Sequence, residues 1–154
     1  MKKQKFKLVI LIAVLGLLTI AYYSFAYFNN KPTVTINGHV FEVDVAEEAD
    51  DIERGLSGRK DLADDQAMLF IFPRKQELAF WMHGMNFNVD LLWIDGNKVL
   101  DYEKNMPAPG DNTAIRDLPR FFPSQPVDKV LEIKAGLIDL LGIKIGDSVD
   151  INID

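Results

Sequence analysis

The fold of this chain is decided by residues 80–96, FWMHGMNFNVDLLWIDG. This stretch holds both tryptophans, one of the two histidines and, with Met106 nearby, three of the five methionines. Val89 to Ile94 is a mostly apolar run of strand length, and Asp95-Gly96-Asn97 is typical of the turn of a hairpin. We therefore predict a central strand here, followed by a second strand at Lys98 to Tyr102.

Further strands are predicted on both sides of this stretch. Near the start of the domain, two alternating segments flank Asn37-Gly38, a pair that accepts the positive φ angles of a tight hairpin turn. The predicted strands are Thr33 to Ile36, Phe41 to Val45, Ala67 to Phe72, Leu78 to Met82, Val130 to Ile133 and Ser148 to Ile153, and the predicted short helices are Ala46 to Leu56 and Leu137 to Leu141. This order indicates a mainly β (α+β) domain with two short helices.

A long loop is predicted between Glu103 and Asp128. It carries five of the seven prolines, which break helices and remove the hydrogen-bond donors of a strand. Two adjacent aromatic residues, Phe121 and Phe122, leave two interpretations open. The loop is either a strap packed on the body of the domain or a lid over a binding site.

The N-terminal part of the chain is predicted to anchor it in a membrane. Leu8 to Phe28 is a run of 21 residues without a charge, which as a helix of about 30 Å is long enough to span a bilayer. Four lysines precede it, so by the positive-inside rule residues 1–7 are cytoplasmic. We therefore predict a transmembrane helix at 8–28, a linker at 29–32 and an extracytoplasmic domain at 33–154.

A cleaved signal peptide is the alternative interpretation of the same segment. Ser24-Phe25-Ala26 offers small residues at the two positions that a signal peptidase inspects, but the apolar run exceeds the ~7 to 15 residues of a signal core. Cysteine is absent from the chain, which excludes a lipidated-cysteine anchor, disulfides and thiol chemistry. The domain must therefore be stabilised by packing.

The charge of the domain limits its partners. From Pro32 onward the chain has 12 basic against 23 acidic residues, a formal net charge of −11. Such a field repels phosphate groups, so a nucleic acid is not expected to bind. Cations and basic surfaces fit this charge better. The alternative interpretation is that the acidity only keeps an exported domain soluble.

Spaced motifs run through nearly all of the predicted domain, from about Thr33 to Ile153. They are Arg54-Gly55-Leu56-Ser57-Gly58-Arg59, Met68-Leu69-Phe70, Phe80-Trp81-Met82 with Val89-Asp90, Val130-Leu131-Glu132, Ala135-Gly136, and Gly142-Ile143 with Gly146-Asp147. Together they resemble the domain-of-unknown-function 192 family of small bacterial and archaeal proteins, which implies a β-rich, barrel-like fold and no settled activity. Departures from the family pattern are Ser57 for methionine, Ala67 for glycine, and His83-Gly84-Met85 where Lys-Asn-Thr is common.

The candidate ligand-binding residues are polar and aromatic positions that match the family motifs, with one neighbour. They are Trp81, Asp90, Arg54, Arg59 and Glu132, with His83 beside them. An indole face flanked by carboxylate and guanidinium groups suits a sugar ring or a polar peptide. The structural alternative is that Trp81 belongs to the core and that Arg59 pairs with Asp90 or Glu132 to hold the strands.

Two other functions stay open from the sequence. Met82, His83 and Met85 offer thioether and imidazole ligands that suit copper, although neighbouring strand residues point to opposite faces and converge only across a bulge. A hydrolase acting on envelope polymers could use His83 as general base and Asp90 to orient it, but no serine stands in a nucleophile elbow. We therefore interpret the chain as a membrane-anchored module that binds an envelope ligand or protein partner and performs no reaction.

Overall fold

The computed structural model describes residues 2–29, 31–110 and 113–153. They divide into two compact units, an N-terminal one that ends at Lys31 and a second one that covers Pro32–Ile153. Several predicted limits and loop positions lie outside the described residues: Met1, Asn30, Asp111, Asn112 and Asp154.

The N-terminal unit contains one α-helix, α1, Lys2–Asn29. Apolar side chains along it, among them Leu11, Leu17 and Leu18, are exposed. Within the residues that the structure describes, no helix combines the length and the apolar character required to cross a membrane. The transmembrane anchor at residues 8–28 stays a prediction from the sequence.

The described residues of the second unit form seven strands and three short helices. The strands are β1 Thr33–Ile36, β2 His39–Ala46, β3 Gln66–Gln76, β4 Val89–Asp95, β5 Lys98–Met106, β6 Val127–Lys134 and β7 Val149–Asn152. The helices are α2 Ala49–Arg54, α3 Leu137–Leu140 and a 3-10 turn at Ile115–Asp117. The strands form one sheet in the order β5-β4-β6-β3-β2-β1-β7. Neighbours are antiparallel except β2 and β3, because α2 lies in the connection between these two.

The two edges of this sheet meet at one end. The Val99 N–H donates to the carbonyl of Asp147 at 3.0 Å, and the Val149 N–H donates to the carbonyl of Asn97 at 2.9 Å. These bonds join the start of β5 to the start of β7 and curve the sheet into a half-barrel. The prediction of a mainly β, barrel-like domain is confirmed in this form, and the 3-10 turn is a third short helix that the sequence did not predict.

Both faces of the sheet are covered by apolar side chains, since alternate strand residues point to opposite sides. On one face, here the α3 face, Leu69 and Leu131 pack with Leu137 of α3. On the other, here the α2 face, Phe70 and Val130 belong to a second core cluster beneath α2. The domain therefore has two apolar cores separated by one layer of backbone.

Among the predicted strands, those at Leu78–Met82 and Ala67–Phe72 differ from the structure in ways that the topology explains. The prediction of a strand at Leu78–Met82 is wrong, because both edges of β3 and of β4 are already paired and only Phe80 makes an isolated bridge. The other, at Ala67–Phe72, continues as β3 beyond Pro73 to Gln76. The register with β6 shifts between Ile71 and Gln76, so the missing N–H of Pro73 interrupts no regular ladder.

The long loop is shorter than predicted, since β5 continues to Met106 and β6 begins at Val127. Its described part crosses the α2 face as a strap, where the Phe121 N–H donates to the carbonyl of Phe80 at 2.9 Å and the Phe80 N–H donates back at 3.0 Å. Phe121 packs against the core, whereas Phe122 is exposed. The packed strap is therefore the interpretation that fits these contacts.

Asp90 joins three segments on the α3 face. Its Oδ1 accepts a hydrogen bond from the Asn105 N–H at 2.8 Å, and its Oδ2 accepts from the N–H groups of Gly136 and Ile138 at 2.9 Å each. The side chain is only 1% exposed. Because a buried carboxylate needs such donors, Asp90 fixes the end of β5 and the start of α3 to β4.

We expect Asp90→Asn to lower the free energy of unfolding by about 2 to 4 kcal/mol, because one amide group cannot replace three accepted hydrogen bonds. Urea unfolding of the full chain, followed by circular dichroism, measures this loss. The matched control is Asp150→Asn, an exposed carboxylate on β7 that we expect to change stability by less than about 0.5 kcal/mol. Equal stability of the two variants would contradict this role of Asp90.

Candidate functional site

A pocket of about 550 Å³ opens on the α2 face. Three stretches form its walls, namely residues 47–57, 70–76 and 78–85. Most of the lining is apolar: Ala49, Ile52, Leu56, Phe70, Phe72, Pro73, Leu78, Ala79, Phe80, Trp81 and Met85. The volume lies in the range of about 300 to 1,000 Å³ that is usual for pockets of small ligands.

Two of the sequence motifs dock on each other beside this pocket. The Ser57 hydroxyl donates to the carbonyl of His83 at 2.6 Å, and the Gly58 N–H donates to the carbonyl of Gly84 at 2.8 Å. Gly84 has a φ of 68°, and a β-carbon there would lie 3.1 Å from Cβ of Ser57. The close approach therefore requires glycine, and it holds the segment with Trp81 against the turn after α2.

Glu132 lies at the floor of the pocket. It is 5% exposed and follows Val130 by two positions on β6, so its side chain points to the α2 face between β3 and β4. Its cross-strand neighbours, Met68 and Leu91, are apolar. Its buried Oε2 has no hydrogen-bond partner among the described residues.

The surroundings of Glu132 change its acidity. Burial raises the pKa of the carboxyl from 4.5 to about 7, and the positive charge of Arg59 acts in the opposite direction. At neutral pH this group is therefore divided between its neutral and ionised forms. Either form leaves a polar oxygen in an apolar site.

The two tryptophans differ in their surroundings. Trp81 lines the pocket and is 37% exposed, and the guanidinium of Arg120 stands 4.6 Å from the centre of an indole ring face. Trp93 is fully buried in the core of the α2 face, in edge-on contact with Phe80. The alternative that Trp81 belongs to the core is therefore wrong, and Trp93 has that role.

The structure brings four of the six candidate ligand-binding residues to one pocket. They are Trp81, His83, Arg54 and Glu132. His83 and Arg54 are exposed near the mouth, and Arg54 forms an ion pair with Asp51 on its own helix. These four side chains line one pocket, and their role in binding a ligand stays a prediction.

The other two candidates lie elsewhere. Asp90 shares the parity of Leu92 on β4 and therefore lies on the α3 face, separated from the pocket by the sheet. Arg59 forms an ion pair with Asp44 at 2.6 Å. The predicted pairing of Arg59 with Asp90 or Glu132 is therefore replaced by a pair with Asp44, although the charge of Arg59 still reaches Glu132.

Sequence reasoning missed the wall that α2 and the end of β3 supply. Ile52 and Leu56 indicated a docking edge at a four-residue spacing, but not that a cavity lies beside it. Nothing in the sequence marked Phe72 and Gln76 as residues of a pocket wall. Their place in the wall depends on how far β3 continues beyond Pro73. Glu132 was recognisable in the sequence, because an acidic residue within an otherwise apolar strand is unusual.

The structure also shows where the residues of the copper and hydrolase alternatives lie. Met82 and Met85 are buried in the core of the α2 face while His83 is exposed, and copper binding through these three residues stays a prediction. Within the described ranges, no group of three or more His, Cys, Asp or Glu side chains is placed to hold a metal ion. The prediction that Asp90 orients His83 is wrong, because Asp90 bonds backbone N–H groups on the α3 face.

We expect the raised pKa of Glu132 to make stability fall as pH rises. Below pH 4.5 the group is protonated in both states, and between 4.5 and about 7 only the unfolded chain releases the proton. The folded state therefore loses on the order of 3 kcal/mol by pH 8, and this loss is absent in Glu132→Gln. Urea unfolding at pH 4.5, 6 and 8 compares the two chains. The control is Glu53→Gln, which changes an exposed carboxylate at the same pocket. If the free energy of unfolding of the native chain depends on pH in the same way as that of Glu132→Gln, the prediction is contradicted.

Solved structures of other proteins are similar to this domain. A protein of unknown function from Novosphingobium aromaticivorans is 29% identical with a TM-score of 0.68, over 78% of this chain and 83% of that one. A protein from Sinorhizobium meliloti, described as a candidate transcription regulator, is 24% identical with a TM-score of 0.68, over 79% of this chain and 92% of that one. The second likeness concerns the fold alone. No curated protein matches the chain.

The family itself is shown by the match over the whole domain. The family model DUF192, described as "Uncharacterized ACR", matches residues 32–151, which include the motifs that form the pocket and the two docked turns. The chain therefore belongs to the domain-of-unknown-function 192 family.

Proposed function

We propose that the domain is a ligand-binding module that takes the apolar body of a small molecule into the pocket on the α2 face. The observation that carries this proposal is the unpaired Oε2 of Glu132 at the floor of a preformed, mostly apolar cavity. A buried oxygen without a donor costs about 1 to 3 kcal/mol, more when it is charged. A ligand that supplies the donor removes this cost when it binds.

The lining of the pocket favours binding over catalysis. Ser57 is the one hydroxyl among the lining residues, and it donates to the backbone carbonyl of His83 rather than to an imidazole nitrogen. A serine nucleophile requires a general base on its hydroxyl. The His83 ring is exposed, and Asp90, its predicted partner, is on the other face. The pocket thus offers recognition groups without an activated nucleophile.

The proposed place of the module is the outer side of a membrane, with residues 8–28 as the anchor. The support comes from the sequence: an uncharged run of 21 residues, the four lysines before it and the net charge of −11 after Lys31. Exposed apolar side chains from Ile10 to Ile20 along α1 agree with contact to lipid. The acidic domain also makes a nucleic acid an unsuitable partner, despite the description of the relative from Sinorhizobium meliloti.

We expect Trp81→Ala to weaken ligand binding at least tenfold without unfolding the domain, because the indole is a partly exposed part of the pocket rim. Thermal unfolding of the full chain in detergent, with metals, sugars, muropeptides, basic peptides and apolar small molecules, identifies a ligand by the rise of the melting temperature. Titration calorimetry then compares the variants.

The matched control is Phe122→Ala, an exposed aromatic residue of the strap that does not line the pocket. We expect it to change the affinity less than twofold. Equal affinity of the native chain and Trp81→Ala would place the binding site elsewhere.

We expect the full chain to fractionate with membranes and the double variant Leu15→Arg and Leu17→Arg to appear in the soluble fraction. Each arginine at the centre of a spanning helix costs about 2.5 to 3.5 kcal/mol on insertion scales. The control carries Leu140→Arg and Ile145→Arg, exposed apolar residues of the domain. Membrane association that survives the first pair as well as the second would refute the anchor.

A further inference from the structure

We infer that the ligand of this pocket is an amphiphilic amine, whose ammonium group binds Glu132 while its apolar body fills the cavity. This inference rests on the proposed function and names the chemical class of the ligand.

The floor of the pocket requires a hydrogen-bond donor. Glu132 presents its Oε2 among apolar cross-strand neighbours, and no described residue donates to that atom. An ammonium group has three donors and no acceptor, so it can bond the carboxylate without leaving an unpaired acceptor of its own. Against the ionised form of Glu132, a carboxylate or phosphate ligand would instead place like charge beside this oxygen.

The charges around the pocket favour a cation. Two glutamates, Glu47 and Glu53, stand exposed in the lining above Glu132. The guanidinium of Arg54 is paired with Asp51, and that of Arg59 with Asp44, although the charge of Arg59 still reaches Glu132. Arg120 stands over Trp81 at the rim of the pocket. The domain as a whole has a net charge of −11. A cleft with this balance raises the local concentration of cationic ligands.

The walls favour an apolar body with the charge at one end. Phe70, Phe72 and Phe80 line the cavity with Leu78 and Ile52, and these side chains offer no hydrogen bonds. Aromatic faces also attract an ammonium group that passes them on the way to the floor. A sugar would leave most of its hydroxyls unpaired against these walls, which is costly.

Three probes that share one apolar body test this inference: 4-phenylbutylamine, 4-phenylbutan-1-ol and 4-phenylbutyrate. Each is titrated by calorimetry into the full chain in detergent at pH 8, with detergent alone as the blank. We expect the amine to bind at least tenfold more tightly than the alcohol, and the acid to bind least. In Glu132→Gln the affinity for the amine falls to within threefold of that for the alcohol. The control Asp150→Asn, an exposed carboxylate on β7 outside the pocket, keeps the preference.

Several results would overturn the inference. If the alcohol or the acid binds as tightly as the amine, the amine class is wrong while the pocket still binds ligands, so the proposed function stands. If Glu132→Gln keeps the preference, or if Asp150→Asn removes it as fully, the ammonium group does not bind Glu132. If none of the three probes binds, the amine class is wrong. The thermal-unfolding panel, with its comparison of the native chain and Trp81→Ala, then tests the proposed function separately. If Glu132→Gln fails to fold, the order of the three affinities in the native chain still decides whether the ligand class is an amine.

Discussion

The alternation of side chains along β6 is the constraint on which the rest of the domain depends. β6 lies between β3 and β4 and has sheet on both sides, so its residues face either the α3 core or the α2 core. Leu131 and Ile133 complete the first core, whereas Val130 belongs to the second. Glu132 follows Val130 onto the same face, where the covering elements leave a cavity instead of a packed core. A shift of one residue would place this carboxyl under α3 and destroy both cores.

Because of this alternation, two acidic residues on neighbouring strands lie in different surroundings. Asp90 on β4 and Glu132 on β6 are both almost completely buried, but on opposite sides of one sheet. Three backbone N–H groups surround the carboxylate of Asp90, and α3 begins at that point. Glu132 has apolar neighbours instead, and its pKa rises. Asp90 thus stabilises the fold, whereas Glu132 belongs to the lining of a pocket.

Much of the sheet follows from the sequence, because local patterns specify it. Asn37-Gly38 has the positive φ angles that its hairpin requires, and Asp95-Gly96 turns β4 into β5 as predicted. Leu78–Met82 has an equally apolar pattern but forms no strand, since no free sheet edge remains beside it. The availability of an edge is a property of the whole topology. The same limit applies to the site: four candidate residues converge there, but which face each one occupies could be assigned only from strand parity in the folded sheet.

The departures from the family pattern meet in space. In the pattern that the sequence resembles, methionine is common at position 57 and asparagine at position 84. Here Ser57 and Gly84 lie close together beside the pocket. Ser57 has a small side chain and Gly84 has none, so the two segments can lie close together. The turn after α2 can therefore approach the segment with Trp81 closely, and this approach shapes the cavity mouth of this member of the family.

The unequal placement of the two tryptophans gives the molecule an optical signal of its own. The indole of Trp93 is sealed in an apolar core, so its fluorescence is blue-shifted and out of reach of a dissolved quencher. The indole of Trp81 is partly in contact with water at the rim of the pocket, beside the Arg120 cation, so a quencher reaches it. Emission from this chain thus separates into a part that follows the integrity of the core and a part that follows the access of solvent to the rim of the pocket.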